Sequence, residues 1–238
     1  MHQKNGESHV DVMHQLTELE LFEKYPILKS LDLSMLEFFE KDDVLGIGLQ
    51  SSGMNPFFLD LKSDLIYHRQ FYQQSSVKKD FLYKALFGKK ERCLVYDATG
   101  GLLKDAMRMI SFGGEVYSFE RNVLVSCLVE SYLKKQNIEN FEYHPFKVLE
   151  TISTENSVIY YDPMYKEESR SKRLGQKKMR IFQAFIKSDD DAIEQLHKLR
   201  MLGARRVVVK RPIKAMALHN DVHHQVKGKS TRYDIYLP

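Results

Sequence analysis

From Arg92 onward, short apolar runs alternate with longer stretches whose apolar residues recur at helical spacing. The runs Arg92–Asp97, Glu115–Phe119, Phe141–His144, Ser157–Asp162 and Arg206–Lys210 are expected to be strands. Leu103–Ser111, Asn122–Gln136, Lys177–Ile186 and Asp190–Leu202 are expected to be helices. Val158-Ile159-Tyr160-Tyr161 shows no polar alternation and suits a strand buried on both faces. Alternating strands and helices require crossover connections and therefore a mostly parallel sheet. Val222–Val226 and Arg232–Leu237, around Lys227-Gly228-Lys229, read as a closing antiparallel pair. The expected class is α/β, with seven strands.

The first part of the chain has a different pattern. A mobile start leads to an expected helix over Ser30–Lys41, with Leu31, Leu33, Leu36 and Phe38 on its apolar side. Val44–Gln50 and Phe57–Leu61 look like strands separated by a turn at Ser51–Pro56, and Val77–Phe87 looks helical. This divides the chain into an N-terminal extension, residues 1–88, and a core, residues 89–238.

Composition narrows the setting. Hydrophobic residues make up 43% and charged residues 29%, as in ordinary globular proteins. No apolar run approaches the roughly 18 residues of a membrane span, and Met1–Gln15 lacks the pattern of a signal peptide. Cys93 and Cys127 sit in apolar stretches, as reduced thiols do. A cytoplasmic protein is expected, with no membrane partner. A monomer is expected because no exposed apolar stripe stands out. The net charge of +4 is mild, but its distribution is uneven. Lys166–Arg180 holds seven basic residues against two acidic ones, and Lys198–Lys214 holds seven and no acid. Two basic clusters near one set of strand ends favour a polyanionic partner.

Ligands of parallel sheets bind at the carboxyl ends of the strands, so the candidate chemistry lies there. The first core strand ends in Asp97-Ala98-Thr99-Gly100-Gly101-Leu102-Leu103-Lys104-Asp105. The glycines allow a tight turn and close approach of a ligand to the main chain. A dinucleotide loop needs G-x-G-x-x-G, and that is missing here. An acid before the glycines suits a cofactor with a positive amino-acid end and no pyrophosphate, such as S-adenosylmethionine. The next strand ends at Glu120, 19 residues past Gly101, where a carboxylate can accept hydrogen bonds from ribose hydroxyls. The fourth ends in Asp162-Pro163-Met164-Tyr165, the arrangement of enzymes that methylate exocyclic base amines. The Asp162 carboxylate and the Pro163 carbonyl would hold the amine with its lone pair toward the methyl group, and Tyr165 would stack on the base. Lys210 and Arg211, at the fifth strand end, would grip phosphate. His219-Asn220-Asp221-Val222-His223-His224 superficially resembles a metal site but does not read as a helix, and no metal role is expected.

Together these motifs resemble the bacterial small-subunit ribosomal RNA guanine-N2 methyltransferases of type J. The matching segments, all in order, are Asp97–Gly101, Glu120-Arg121-Asn122, Asp162–Tyr165, Lys177-Lys178-Met179-Arg180-Ile181-Phe182-Gln183, Val208–Pro212 and Arg232-Tyr233-Asp234-Ile235-Tyr236. The resemblance runs from about Phe57 to the C-terminus. It implies a Rossmann-like class I methyltransferase fold, a mostly parallel seven-stranded sheet with helices on both faces, plus a small β-containing N-terminal extension. The implied partners are S-adenosylmethionine and 16S rRNA or the small ribosomal subunit. The implied cofactor residues are Asp97, Thr99, Gly101, Lys104, Asp105, Glu120, Arg121, Phe146, Lys147 and Asp162. The implied catalytic set is Asp162, Pro163 and Tyr165. The implied RNA contacts are His68, Arg69, Lys177, Lys178, Arg180, Lys210 and Arg211. Leu103 stands where the family has a glycine, which is expected to tighten the space near the cofactor. Phe146 and Lys147 stand where the family tends to have small hydroxyl residues beside the adenine. The residues alone leave open a methyltransferase for another RNA, a DNA base or a protein amide, and a silent RNA-binding assembly factor. The missing phosphate loop makes an NAD-dependent enzyme the most distant reading.

Overall fold

Side chains of the central strands point alternately into two cores. Val95, Val158, Tyr160, Val208, Tyr233 and Ile235 pack on one face, and Tyr96, Ile159, Tyr161, Val207, Val209 and Tyr236 on the other. A computed structural model describes residues 13–50, 53, 55–164 and 189–238, and the elements below are those of the described residues. The expected helix Lys177–Ile186 lies outside them.

The N-terminal part is a four-stranded antiparallel sheet with three helices. Its elements are β1 (His14–Gln15), α1 (Glu18–Lys24), a 3-10 turn at Pro26–Ser30, β2 (Leu36–Lys41), β3 (Val44–Leu49), β4 (Phe57–Phe58), α2 (Leu61–Gln74), a second 3-10 turn at Val77–Lys79, and α3 (Phe81–Leu86). The core then runs β5 (Val95–Asp97), α4 (Lys104–Ser111), β6 (Val116–Glu120), α5 (Val123–Leu133), β7 (Phe141–Pro145), β8 (Val158–Tyr161), α6 (Ala192–Met201), β9 (Val207–Pro212), β10 (His224–Lys227) and β11 (Thr231–Tyr236). Its seven strands lie in the order β10-β11-β9-β8-β5-β6-β7, parallel from β9 to β7, with β11 antiparallel to β9 and β10 to β11. Helices α3, α4 and α5 contribute to the first core and α6 to the second, so both faces are covered.

The expected helix over Ser30–Lys41 is instead a 3-10 turn and strand β2. Burial there has period two, with Leu36, Phe38 and Glu40 inward. Glu40 is only 6% exposed and is held by the Lys24 ammonium at 2.6 Å, so a charge occupies an inward strand position and disguises the alternation. Asp42 and Asp43 take φ of 53° and 59° in the two-residue link between β2 and β3, as hairpin turns of this length require. Thr17 and Glu20 cap each other reciprocally at the head of α1, a helix that sequence reading missed. The strand expected at Phe57–Leu61 stops at Phe58, because the Asp60 side chain accepts from Ser63 N and opens α2. Sequence reading missed α2 because Ile66, Tyr67 and Phe71 are exposed, which blurs its apolar period.

The extension shares the first core with the sheet. Leu45 N donates to Ser131 Oγ of α5 at 3.0 Å, and Lys62 N donates to the Tyr132 hydroxyl at 2.9 Å. Asp80 ties three helices together. It caps α3 through Leu82 N at 2.8 Å, accepts from Arg108 Nη2 of α4 at 2.5 Å, and accepts from the Tyr72 hydroxyl of α2. Its side chain is 7% exposed and that of Arg108 27%. Losing one partner of such a pair strands the other charge and also costs a helix cap. Asp80→Ala is therefore expected to lower stability by about 3 kcal/mol in urea denaturation, and Asp80→Asn, which keeps the cap, by less.

Candidate active site

Strand β5 leads through β6 to β7 on one side of the sheet, and β8 leads to β9 on the other. The loops after β5 and β8 therefore part and leave a crevice between them. Two hydrogen bonds hold its floor: Ala98 N donates to Tyr160 O at 2.8 Å, and Asp162 N donates to Thr99 Oγ1 at 2.7 Å.

The glycine loop is built around Asp97. Its carboxyl, 1% exposed, accepts from Ser118 Oγ at 2.7 Å and from Thr99 N at 3.2 Å. Burial pushes its pKa up to about 7, against the pull of those two bonds. Gly100 N donates to Phe119 O at 2.7 Å, and a Cβ at Gly100 would come within 2.9 Å of Ser118 Oγ, so the backbone can lie this close to β6 only as glycine. Gly101, with φ of +51°, turns its N–H onto Glu120 Oε2 at 2.7 Å. Leu103 was expected to tighten the space near the cofactor. Its side chain instead lies fully buried in the first core, while its backbone takes the left-handed φ of +58° that favours the family's glycine. That conformation costs a leucine about 1 kcal/mol, which the buried side chain offsets.

Glu120 ends β6 with one carboxylate oxygen on Gly101 N and the other on Asn122 N, at 2.5 Å. Burial raises its pKa, and the two N–H groups oppose the rise. Beside it, Lys147 N donates to Glu120 O at 3.0 Å and Phe146 N to Ser126 Oγ at 3.2 Å, leaving the Phe146 ring 38% exposed. Arg121 is engaged elsewhere: its guanidinium grips Asp191 at 2.7 Å and Asp189 at 2.5 Å. Arg121 draws the Asp191 carboxyl down to about 2. Asp189 in turn accepts from Met164 N at 2.8 Å and donates its own N–H to Met164 O at 3.0 Å. Arg121 thus braces the Asp162-Pro163-Met164 turn from the β6 side.

Lys210 reaches into the crevice rather than out of it. Its ammonium lies 2.6 Å from Asp105 Oδ2 and 2.9 Å from Asp162 Oδ2. The buried Tyr160 hydroxyl also donates to Asp105 Oδ2, at 2.5 Å. Desolvation pushes the Asp162 carboxyl up to about 6, with Lys210 opposing. The same burial acts on Asp105, but Lys210 and Tyr160 prevail and hold it below the usual carboxylate range. The two carboxylates outweigh burial at Lys210 and raise its pKa.

The structure therefore brings together Asp97, Thr99, Gly101, Asp105, Glu120, Asp162 and Lys210, with Phe146 and Lys147 beside Glu120. Pro163 is buried behind Asp162, and Lys104 is exposed at the head of α4. Arg211 Nε donates to Met216 O at 2.9 Å, so that group is spent on its own loop. His68 is half-buried, its pKa lowered first by burial and then by Arg108, while Arg69 is exposed on α2. Tyr165, Lys177, Lys178 and Arg180 lie outside the described residues. His219 Nδ1 pairs with Asp221 at 2.5 Å, and among the described residues no cluster of His, Cys, Asp or Glu is arranged to hold a metal. Sequence reading passed over Ser118, Tyr160 and Asp189. Tyr160 was hidden in an apolar run, and the only trace of Asp189 was the Asp189-Asp190-Asp191 run.

The carboxylate of Glu120, the tight side-chain-free turn at Gly100–Gly101 and the crevice carboxylate of Asp162 suit a ligand that carries ribose hydroxyls and positive charge. The sequence holds no G-x-G-x-x-G fingerprint for a pyrophosphate. Comparison with known proteins agrees. The family described as "Putative SAM-dependent methyltransferase" matches residues 20–238. Ribosomal RNA small subunit methyltransferase J of Erwinia tasmaniensis is 30% identical over 98% of this chain and 94% of its own. The protein of the same name from Serratia proteamaculans is 38% identical over 60% of this chain and 63% of its own. A solved SAM-dependent methyltransferase from Neisseria gonorrhoeae shares the fold, with a TM-score of 0.56 and 24% identity over 82% of this chain and 80% of that one.

The state of Asp97 can be tested through stability. An unfolded aspartate loses its proton near pH 4 (about 3.9), whereas the folded one keeps it to about 7. Folding therefore takes up a proton between those values, and the contribution of this group to stability falls as pH rises from about 4 to about 7. Asp97→Asn removes this effect. In urea denaturation the variant is expected to gain on the wild type between pH 5 and pH 8; an unchanged difference would mean that Asp97 ionises normally.

Proposed function

The chain belongs to the ribosomal RNA small subunit methyltransferase J family of SAM-dependent methyltransferases, and on that footing we propose that it methylates the exocyclic N2 amine of one guanine in 16S rRNA. The observation that carries this reading is the Asp162-Pro163 turn, held at the strand switch point between the Glu120 strand end and Lys210. S-adenosylmethionine, when bound, supplies an electrophilic methyl group on a sulfonium. Glu120 would hold its ribose hydroxyls, Phe146 and Lys147 would flank its adenine, and the Gly100–Gly101 backbone, Thr99, Lys104 and Asp105 would border its amino-acid end. Asp97, with both oxygens turned inward, shapes the loop.

Asp162 and the Pro163 carbonyl accept hydrogen bonds from the guanine amine. They fix its lone pair on the line of displacement, and orientation of this kind supplies most of the rate. The Asp162 carboxylate then takes the proton that the methylated nitrogen releases. Lys210 keeps Asp162 ionised at neutral pH, and this role replaces the phosphate grip expected from sequence. Tyr165 stacks on the flipped base. His68, Arg69, Lys177, Lys178 and Arg180 contribute to RNA backbone contacts, while Arg211, buried and bonded to Met216 O, holds its own loop. In this proposal residues 1–88 form an extension that braces the core of residues 89–238, and the protein acts as a monomer on the small subunit or its RNA in the cytoplasm. Among the described residues, no helix is long and apolar enough to cross a membrane.

The test is transfer of labelled methyl to small-subunit RNA, free and assembled, followed by nucleoside analysis. N2-methylguanosine is expected with the wild type. Asp162→Ala is expected to lose about 10²-fold or more in rate while still binding S-adenosylhomocysteine in calorimetry. The wild-type rate should rise with pH through about 6, as Asp162 ionises. Lys210→Met removes the cation that lowers that pKa and should shift the midpoint upward. Label in another nucleoside, or in none, would sink the guanine assignment.

A further inference from the structure

Away from the crevice, a cavity of about 1110 Å³ opens between α3 and the edge of the sheet at β10. Beside Lys78, its walls carry six cations, Lys84, Lys89, Lys90, Arg92, Arg206 and Lys227, and Glu91 is the sole acid among its lining residues. A run of charge along one helix is usually just a solvated face, but these cations come from four separate parts of the chain and converge on one concavity. Several cations elsewhere in the protein are matched with acids, among them Lys24 with Glu40, Arg108 with Asp80, Arg200 with Asp221 and Arg232 with Asp234. Among the described residues none of the six is paired with a carboxylate. Two are held to the wall by aromatic faces instead, Lys84 over Phe81 at 5.3 Å and Arg92 over Tyr83 at 5.9 Å. Arg206 donates to Ala85 O at 3.2 Å, but its buried Nε has no partner among the described residues. Burial, and then repulsion from Arg205, lowers its pKa. The cavity is thus lined with positive charge that the protein does not neutralise itself.

Its position relates it to the active site. Lys227 pairs across the sheet with Arg232, and Arg232 with Arg211, the neighbour of Lys210. Two strand spacings, roughly 10 Å, therefore separate Lys227 from the strand end that carries the crevice cation. From there the groove follows β10 toward Arg206 and Arg92, which precede β9 and β5.

We infer that this groove binds the phosphate backbone of the RNA substrate, away from the reacting nucleotide, as a second point of attachment. The inference rests on the rRNA methyltransferase reading and extends it. Backbone contacts of this kind fix register and supply affinity without reading sequence. They also leave a signature, since each phosphate neutralised adds nearly one unit to the salt dependence of binding.

The test is the triple variant Lys89→Gln/Lys90→Gln/Lys227→Gln in the full chain, whose three side chains are exposed. Its fold is checked by S-adenosylhomocysteine calorimetry, where no change is expected. Binding to free 16S rRNA and to the assembled small subunit is measured across a salt series, beside methyl transfer. The expected result is an affinity at least ten-fold weaker near 0.1 M salt, a salt slope shallower by about 2 to 3, and a raised KM for RNA with kcat held. Unchanged affinity and slope, with methylation intact, would overturn the groove and leave the methylation reading standing. A loss on the assembled subunit with an unchanged salt slope would overturn it too, because the contact would then not be to phosphate. A groove-dependent slope without methylation of any RNA would support the groove and overturn the methylation reading. Wild-type protein that binds no RNA would remove both.

Discussion

Two carboxylates from different loops crowd together at strand ends only if a cation stands between them. Lys210 is that cation. It belongs to β9, and its ammonium joins Asp105, at the head of α4, to Asp162, after β8. Without it, the acids would repel each other across the mouth of the crevice and one would stay protonated. With it, the glycine loop, the Asp162-Pro163 turn and the fifth core strand keep one geometry. Tyr160 adds a hydroxyl from beneath, so the network is closed on its buried side and open toward the crevice. A deeply buried ion pair contributes little net stability once desolvation is counted. Its contribution here is the placement of Asp162 and a hold on its carboxyl against the upward push of burial, which keeps it ionised at neutral pH.

The parts of the fold legible in the sequence are those where burial is uniform. The run Val158–Tyr161 is apolar on both sides because both of its faces are covered, and the same holds for Val207-Val208-Val209. Antiparallel closure by β10 and β11 was readable from the glycine turn between them. The N-terminal sheet was not, because Glu40 takes an inward position that only a lysine sixteen residues earlier makes tolerable. Helix α2 was lost for the opposite reason, since apolar side chains that look outward carry no core periodicity. Long-range pairing and surface exposure are tertiary facts, and a local pattern does not encode them.

The same division holds at the site. Strand-end acids and glycines can be found by their spacing along the chain, and Glu120 does fall next to Gly101. Which way a side chain turns once it is there depends on neighbours from distant segments. Asp97 faces inward because Ser118 is beside it, and Lys210 faces inward because Asp105, 105 residues earlier, is. Arg121 turns away from Glu120 toward a pair of aspartates whose acidic run carried no motif. Leu103 shows how the chain accommodates a departure from the family. The backbone keeps the shape of a glycine position, and the side chain is sent into the core.

Arg121 and Asp189 connect two regions that are otherwise described separately. One end of the link is the residue after Glu120, and the other is the main chain of Met164, two residues after Asp162. Order at the end of β6 and order in the Asp162-Pro163-Met164 turn therefore draw on the same ion pair. A ligand that ordered one end through this pair would order the other, with a coupling free energy equal in both directions. Were each end to take part of a ligand, occupancy of one would tighten the other by the same factor as the reverse.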